Sequence, residues 1–324
     1  KYTPCRWVDM RSMLNEKEDG NRTAVVLILP LASFLVLFFF LDMSDFVRVA
    51  SSLGPAALLA VVLVSAMRPI VGGIRSRIAF KPVASLTLLD ATKGYVLSAY
   101  GSIFLPSAIG GDVLRIEHMK NSTGTTRKES FLVAATERVL GLLSLVFLTI
   151  CVLFFDVPFT ISWYWLITAV VGGFALFLGS KFLLDSSDDG SMLNRTLTYV
   201  RSYASMKLLL PVFILSVLFQ VISLSVPVLV AYSLAGLNAA IIIALVTPAI
   251  ALFSALPISI GGIGLREASY VGTGALFNID ESVCLLSGLA LSMSIILSGV
   301  PGVFIQSELL SHENYKETNS KNKI

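Results

Sequence analysis

The feature that most restricts this chain is a series of apolar runs of membrane-spanning length: Ala24–Leu41, Phe131–Phe155, Trp163–Leu184, Leu208–Leu234 and Val283–Gln306. A helix needs about 20 apolar residues to cross the hydrocarbon core of a bilayer. Lipid offers no partner to a bare N–H or C=O, so each run must satisfy its own backbone as a helix. Composition agrees, with 14% charged residues and a mean hydropathy of +0.82, where a soluble domain carries about 25% charged residues. Pro55–Met67 is short for a span unless it continues past Arg68 into Pro69-Ile70-Val71, and Leu86–Leu105 carries Asp90 and Lys93 near its start. The expected fold is an all-α polytopic membrane protein with about six to eight membrane helices. Residues 24–306 form a single transmembrane domain between a polar N-terminal segment, 1–23, and a polar tail, 307–324.

Two apolar stretches are interrupted in the same way. Leu105–Arg115 reads LPSAIGGDVLR and Leu256–Arg266 reads LPISIGGIGLR, an offset of 151 residues with seven of eleven positions identical. Proline removes a backbone donor and paired glycines accept dihedrals that other residues avoid, so a helix stops and restarts at each motif. The placement of basic residues then sets orientation. Segments 1–23, 68–93, 113–128, 185–207 and the tail hold nearly all Lys and Arg, whereas 156–162, 235–238 and 278–282 hold none. With the basic segments in the cytoplasm, both termini lie inside. The first motif enters and returns from the cytoplasm, and the second enters and returns from the opposite side. The pattern predicts two oppositely oriented re-entrant helical hairpins forming an inverted repeat. Gly/Pro-interrupted segments in matching halves mark the substrate site in transporters of this design.

Charges within such sequence cost roughly 2.5–3.5 kcal/mol each to insert and face the interior. The candidates are Asp112, Arg115, Glu137, Arg138, Arg266 and Glu267. Adjacent residues on a helix point about 100° apart, so Glu137 and Arg138 are expected to reach different neighbours, with Glu137–Arg266 and Arg138–Glu267 as the expected cross-pairs. Ion pairs that merely hold the bundle together explain the same residues equally well. A restarted helix also offers free N–H groups and a positive dipole end to an anion. Gly110 and Gly111 precede Arg115, and Gly261 and Gly262 precede Arg266, by about one turn. Each motif therefore builds an expected site for a phosphate-sized anion, and a lipid headgroup fits better than a soluble ion.

Other chemistry is not expected. Cys5, Cys151 and Cys284 suggest no disulfide framework. His118 and His312 lack clustered partners for a metal, and no nucleophile–base arrangement or nucleotide loop occurs, so neither an enzyme nor a cofactor is predicted. No basic, aromatic-interleaved patch points to nucleic acid. Gln220 reads as interhelical glue, and the glycosylation sequons at Asn21, Asn121 and Asn194 read as chance.

The two LP…GG…LR runs, Glu137-Arg138 followed by Gly141, and Pro301-Gly302 after LPISIGGIGLRE resemble the transmembrane region of lysylphosphatidylglycerol synthases, over nearly the whole chain after residue 24. The resemblance implies a lipid flippase of the cell membrane. The synthases carry their aminoacyl-transferase after the last helix, and only 18 residues follow Gln306 here, so lipid aminoacylation is not expected. The expected cargo is an anionic phospholipid or a lipid-linked headgroup, and a homodimer or a partner lipid-modifying enzyme suits such a protein. Two other functions fit the same residues: an accessory scaffold subunit of a membrane glycosyltransferase or lipid synthase, and a small-anion secondary transporter.

Overall fold

A computed structural model describes residues 47–48, 51–104, 110–153, 206–255 and 264–305. The expected spans Ala24–Leu41 and Trp163–Leu184 lie outside the described residues. So do both termini, the centres of the two breaks (105–109 and 256–263), and with the second break Gly261 and Gly262. Regular structure among the described residues is helical: α1 Pro55–Phe80, α2 Leu88–Phe104, α3 Gly110–Thr123, α4 Arg127–Leu153, α5 Met206–Ser254, α6 Leu265–Phe277 and α7 Glu281–Gly299. Among the described residues, four stretches are long and apolar enough to cross a membrane: Pro55–Phe80, Arg127–Val152, Leu208–Ser254 and Glu281–Ile305.

The surface is apolar where a soluble protein would be polar. Along α1, Leu58, Leu59, Val62, Leu63, Met67 and Ile70 are exposed, while Ser65, Arg75 and Ser76 of the same helix are buried. Hydrocarbon is a suitable solvent for the first set, and the second set needs partners inside the protein.

The segment 68–80, read from sequence largely as a basic loop, is instead the second half of α1. Pro69 lies inside this helix and cannot donate to the carbonyl four residues earlier, that of Ser65. The Ser298 hydroxyl of α7 donates to this carbonyl at 2.8 Å, and the Ser65 hydroxyl donates to Ser294 Oγ at 2.9 Å. A neighbouring helix therefore repairs the break in the hydrogen-bond ladder, and the repair fastens α1 to α7.

Helices α2 and α3 form an antiparallel hairpin around the first break. Asp90 O lies 3.1 Å from His118 Nε2 at one end, Ser98 Oγ donates to Asp112 Oδ1 at 2.9 Å further along, and Gly101 faces the Gly111 backbone near the break. Glycine at 111 has a packing reason, since a Cβ there would meet the Ser98 carbonyl and the Ser102 hydroxyl. The basic segment 113–128 begins as part of α3, which runs to Thr123. A capping box starts α4: Thr126 N donates to Glu129 Oε2 at 2.8 Å and Glu129 N to Thr126 Oγ1 at 3.3 Å.

Helix α5 counts 49 residues. Straight, it would reach about 70 Å, more than twice the hydrocarbon core. It bends at Gly236, where φ is 78° and ψ −169°, a backbone shape open to glycine and strained for other residues. This is the uncharged turn expected at 235–238. Beyond the bend the chain returns, so Ala231 and Ile243 join one core cluster with Tyr270 and Cys284. Helix α6 is the restart expected after the second motif. It turns through Asn278 and Ile279 into α7, whose first N–H groups, Ser282 and Val283, donate to the Asp280 carboxylate.

Candidate functional site

The buried charges gather in two groups. The first is centred on Glu137 of α4, whose side chain is 0% exposed. Its Oε2 accepts from Arg115 Nη2 of α3 at 2.6 Å and from the Tyr95 hydroxyl of α2 at 2.6 Å, and Arg75 Nη2 of α1 lies 3.5 Å away. Four helices thus converge on one carboxylate. Arg115 Nη2 also donates to Ser76 Oγ at 2.9 Å. Arg75 Nη1 donates to Ser216 Oγ of α5 at 3.2 Å, and its Nη2 donates to the Tyr95 hydroxyl. The Tyr95 ring lies 4.3 Å from the Arg115 guanidinium carbon and 5.5 Å from that of Arg75, an arrangement that stabilises desolvated cations. Beside this group, Arg138 Nε donates to Asp112 Oδ2, while Ser98 holds the other oxygen of Asp112.

Among the described residues, Arg75, Arg115 and Arg138 face Asp112 and Glu137, so these three cations and two carboxylates together carry one net positive charge. Among the described residues, Glu137 Oε1, Arg75 Nε and Arg115 Nε are buried with no hydrogen-bond partner. Buried polar atoms of this kind are uncommon and call for a structural or functional reason.

The second group lies at the start of α6. Gly264 adopts φ 86° and is the N-cap. Its N–H donates to Glu267 Oε2 at 2.6 Å, which anchors the restarted helix just past the second break. Ser292 of α7 donates to Glu267 Oε1 at 2.6 Å and accepts from Arg266 Nη1 at 2.9 Å. One serine therefore links the arginine and the carboxylate. Arg68 of α1 faces the same polar seam: its Nε donates to Ser223 Oγ of α5 at 3.1 Å and its Nη1 to Ser294 Oγ of α7 at 3.4 Å. Phe219 stands 5.9 Å from its guanidinium carbon.

The structure corrects the expected cross-pairs. Glu137 is engaged by Arg115 and Arg75 rather than Arg266, and Glu267 by Gly264 and Ser292 rather than Arg138. The reason is local. The α2–α3 hairpin delivers Arg115 to Glu137 and Asp112 to Arg138, and Glu267 finds donors within its own helix start and on α7. Asp112, Arg115, Glu137 and Arg138 are gathered by the first break, Arg266 and Glu267 by the second, and Gly110 and Gly111 open α3. Gln220 donates to the Gly141 carbonyl at 3.3 Å, bridging α5 and α4.

Sequence reasoning missed Arg68, Arg75 and Tyr95 as members of these groups. The available signal was the run Pro69–Gly73: its glycines let α2 approach so closely that a Cβ on Gly72 would strike the Tyr95 ring. Small residues at a helix face mark close helix packing in membranes.

Fold and charges together define a multi-pass helical membrane protein whose ionic groups are turned inward. A family model described as the lysylphosphatidylglycerol synthase TM region matches residues 23–299, and the chain belongs to this family. The membership ties it to membrane lipid. No curated protein and no solved structure matches the chain.

Proposed function

We propose that this protein is a lipid translocase, moving an anionic phospholipid or a lipid-linked headgroup between leaflets without altering it chemically. The observation that carries this reading is the pair of inward-facing charge groups, one beside each helix break, with Arg115 buried at 4% exposure and Arg266 at 8%. Counted over the described residues, the first group holds one more cation than carboxylate, which suits an anion drawn from the bilayer. In this reading the α2–α3 hairpin and the second break with α6 are oppositely oriented re-entrant elements of an inverted repeat. A headgroup passes between them, and both termini face the cytoplasm of a cell-membrane protein.

The decisive experiment is reconstitution into liposomes carrying headgroup- or chain-labelled fluorescent phosphatidylglycerol, with dithionite quenching of the outer leaflet. Transfer above protein-free vesicles is expected. Absence of transfer for anionic, zwitterionic and glycosylated lipids, with monodisperse protein, refutes the proposal. Orientation is read separately by single-cysteine labelling in cells. Positions within 278–282 should react from outside and positions within 113–128 only after permeabilisation, and the reverse pattern overturns the topology.

A further inference from the structure

We propose that Arg68 is a phosphate-contacting residue of this protein, placed on α1 at the seam with α5 and α7. The proposal rests on the translocase reading for its cargo but on separate residues for its geometry. Every other arginine described inside the bundle has a carboxylate nearby. Arg75 and Arg115 share Glu137, Arg138 has Asp112, and Arg266 reaches Glu267 through Ser292. Arg68 is held differently. Its hydrogen bonds go to the neutral hydroxyls of Ser223 and Ser294, and the charge that acts on it among the described residues is that of Arg266, a second cation.

Position sharpens the point. Arg68 sits near the middle of the 26-residue α1, one residue from the exposed Met67 and two from the exposed Ile70. A fixed cation at that depth is expensive unless something of opposite charge meets it. Serine dipoles orient a guanidinium but do not neutralise it. Ser223 takes Nε and Ser294 takes Nη1, and this leaves Nη2 with no hydrogen bond to a described residue. The outer edge of the guanidinium is therefore held in a defined orientation with donors to spare, which is the geometry that recognises a phosphate through two parallel bonds. Of the two serines that hold it, Ser294 is itself fixed: Ser65 donates to its hydroxyl, and Ser298 ties α7 to the Ser65 carbonyl. A phosphate group, whether of a lipid or free in solution, is the chemistry this arrangement takes.

The test uses the purified full-length wild-type protein in detergent with phenylglyoxal, and mass spectrometry follows modification of the peptide containing Arg68. Short-chain phosphatidylglycerol should slow modification of Arg68 at least 5-fold. Protection by inorganic phosphate as well means the site takes phosphate from either source, and protection by lipid alone assigns it to headgroups. Protection by neither overturns the proposal, and so does equal protection by a short-chain diacylglycerol, which has no phosphate. Binding of the same phosphatidylglycerol should weaken at least 10-fold in Arg68→Gln and by less in Arg68→Lys, which keeps the charge but loses the planar fork. Unchanged affinity in a folded Arg68→Gln variant also overturns it. Liposome transfer separates the two claims. Wild-type protection without transfer removes the translocase reading and leaves the site, whereas transfer at the wild-type rate in Arg68→Gln removes the site alone.

Discussion

Replacing Glu137 by glutamine tests whether the first charge group is held together by its single shared carboxylate. The substitution conserves shape and leaves an amide oxygen able to accept from Tyr95, but it removes the negative charge that Arg115 meets at 2.6 Å and Arg75 at 3.5 Å. Breaking a buried ion pair on one side costs about 3–5 kcal/mol, because the remaining charge is left uncompensated. Here two guanidiniums are left, and they also repel one another. Asp112, which acts electrostatically on Arg115, offsets part of this, so about 3 kcal/mol is expected for Glu137→Gln. At roughly 2–4 °C per kcal/mol for a large domain, the apparent melting temperature should fall by about 6–12 °C. Cys284 is fully buried, so with Cys5 and Cys151 replaced by serine, a thiol-reactive dye at a fixed scan rate reads its exposure. Arg115→Met should destabilise comparably, and the double variant by clearly less than the sum of the two, since each substitution removes what the other leaves unpaired. A Glu137→Gln protein melting within about 1 °C of wild type refutes the reasoning, as do strictly additive effects.

Three further outcomes follow from single contacts. Gly111→Ala places a Cβ against the Ser98 carbonyl and the Ser102 hydroxyl; the carbonyl is backbone and cannot swing aside, so a loss of about 1–3 kcal/mol is expected, read in the same thermal assay. Ser298→Ala leaves the Ser65 carbonyl without the donor that replaces the missing Pro69 N–H, at a cost of about 1 kcal/mol; amide exchange should rise in residues 65–73, and unchanged exchange would show that the bond does not matter. At the α3–α4 connection, burial works against ionising Glu117, but hydrogen bonds from Arg127 at 2.6 Å and Lys120 at 2.7 Å outweigh it and hold its carboxyl below the ordinary 4.5. A carboxylate shifted downward stabilises the fold above its unfolded value and ceases to do so as pH falls through the lower folded value. Exposure limits the gain to less than about 1 kcal/mol, so protection of residues 117–127, corrected for intrinsic exchange, should match that of Glu117→Gln near pH 3 and exceed it at pH 6.

Much of the architecture was legible in the chain itself. Runs such as Phe131–Phe155 and Val283–Gln306 have no alternative to a helix in lipid, and the helical stretches Arg127–Val152 and Glu281–Ile305 occupy them within a few residues. The connection at 235–238 and the helix restart after the second break were equally legible, because the first holds no Lys or Arg and proline with paired glycines marks the second locally. The residues of the first charge group were mostly recognisable as costly charges. Their pairing was not, since Glu137 and Arg138 can each face several neighbours and only the α2–α3 hairpin selects Arg115 and Asp112 for them.

Arg68 and Arg75 show where local reading stops. Two arginines and a proline within eight residues look like the end of a helix and the start of a basic loop. In the fold the helix continues, because Ser298, 233 residues beyond Ser65, gives the Ser65 carbonyl the donor that Pro69 lacks. Glu137 then provides the charge that Arg75 needs, and Ser223 and Ser294 hold Arg68. The sequence by itself determined that this chain must be helical in a membrane and where its helices break, because lipid forbids unsatisfied backbone. Which arginine keeps a carboxylate and which is left to neutral hydroxyls was decided by tertiary structure alone, because that depends on groups brought together from distant parts of the chain.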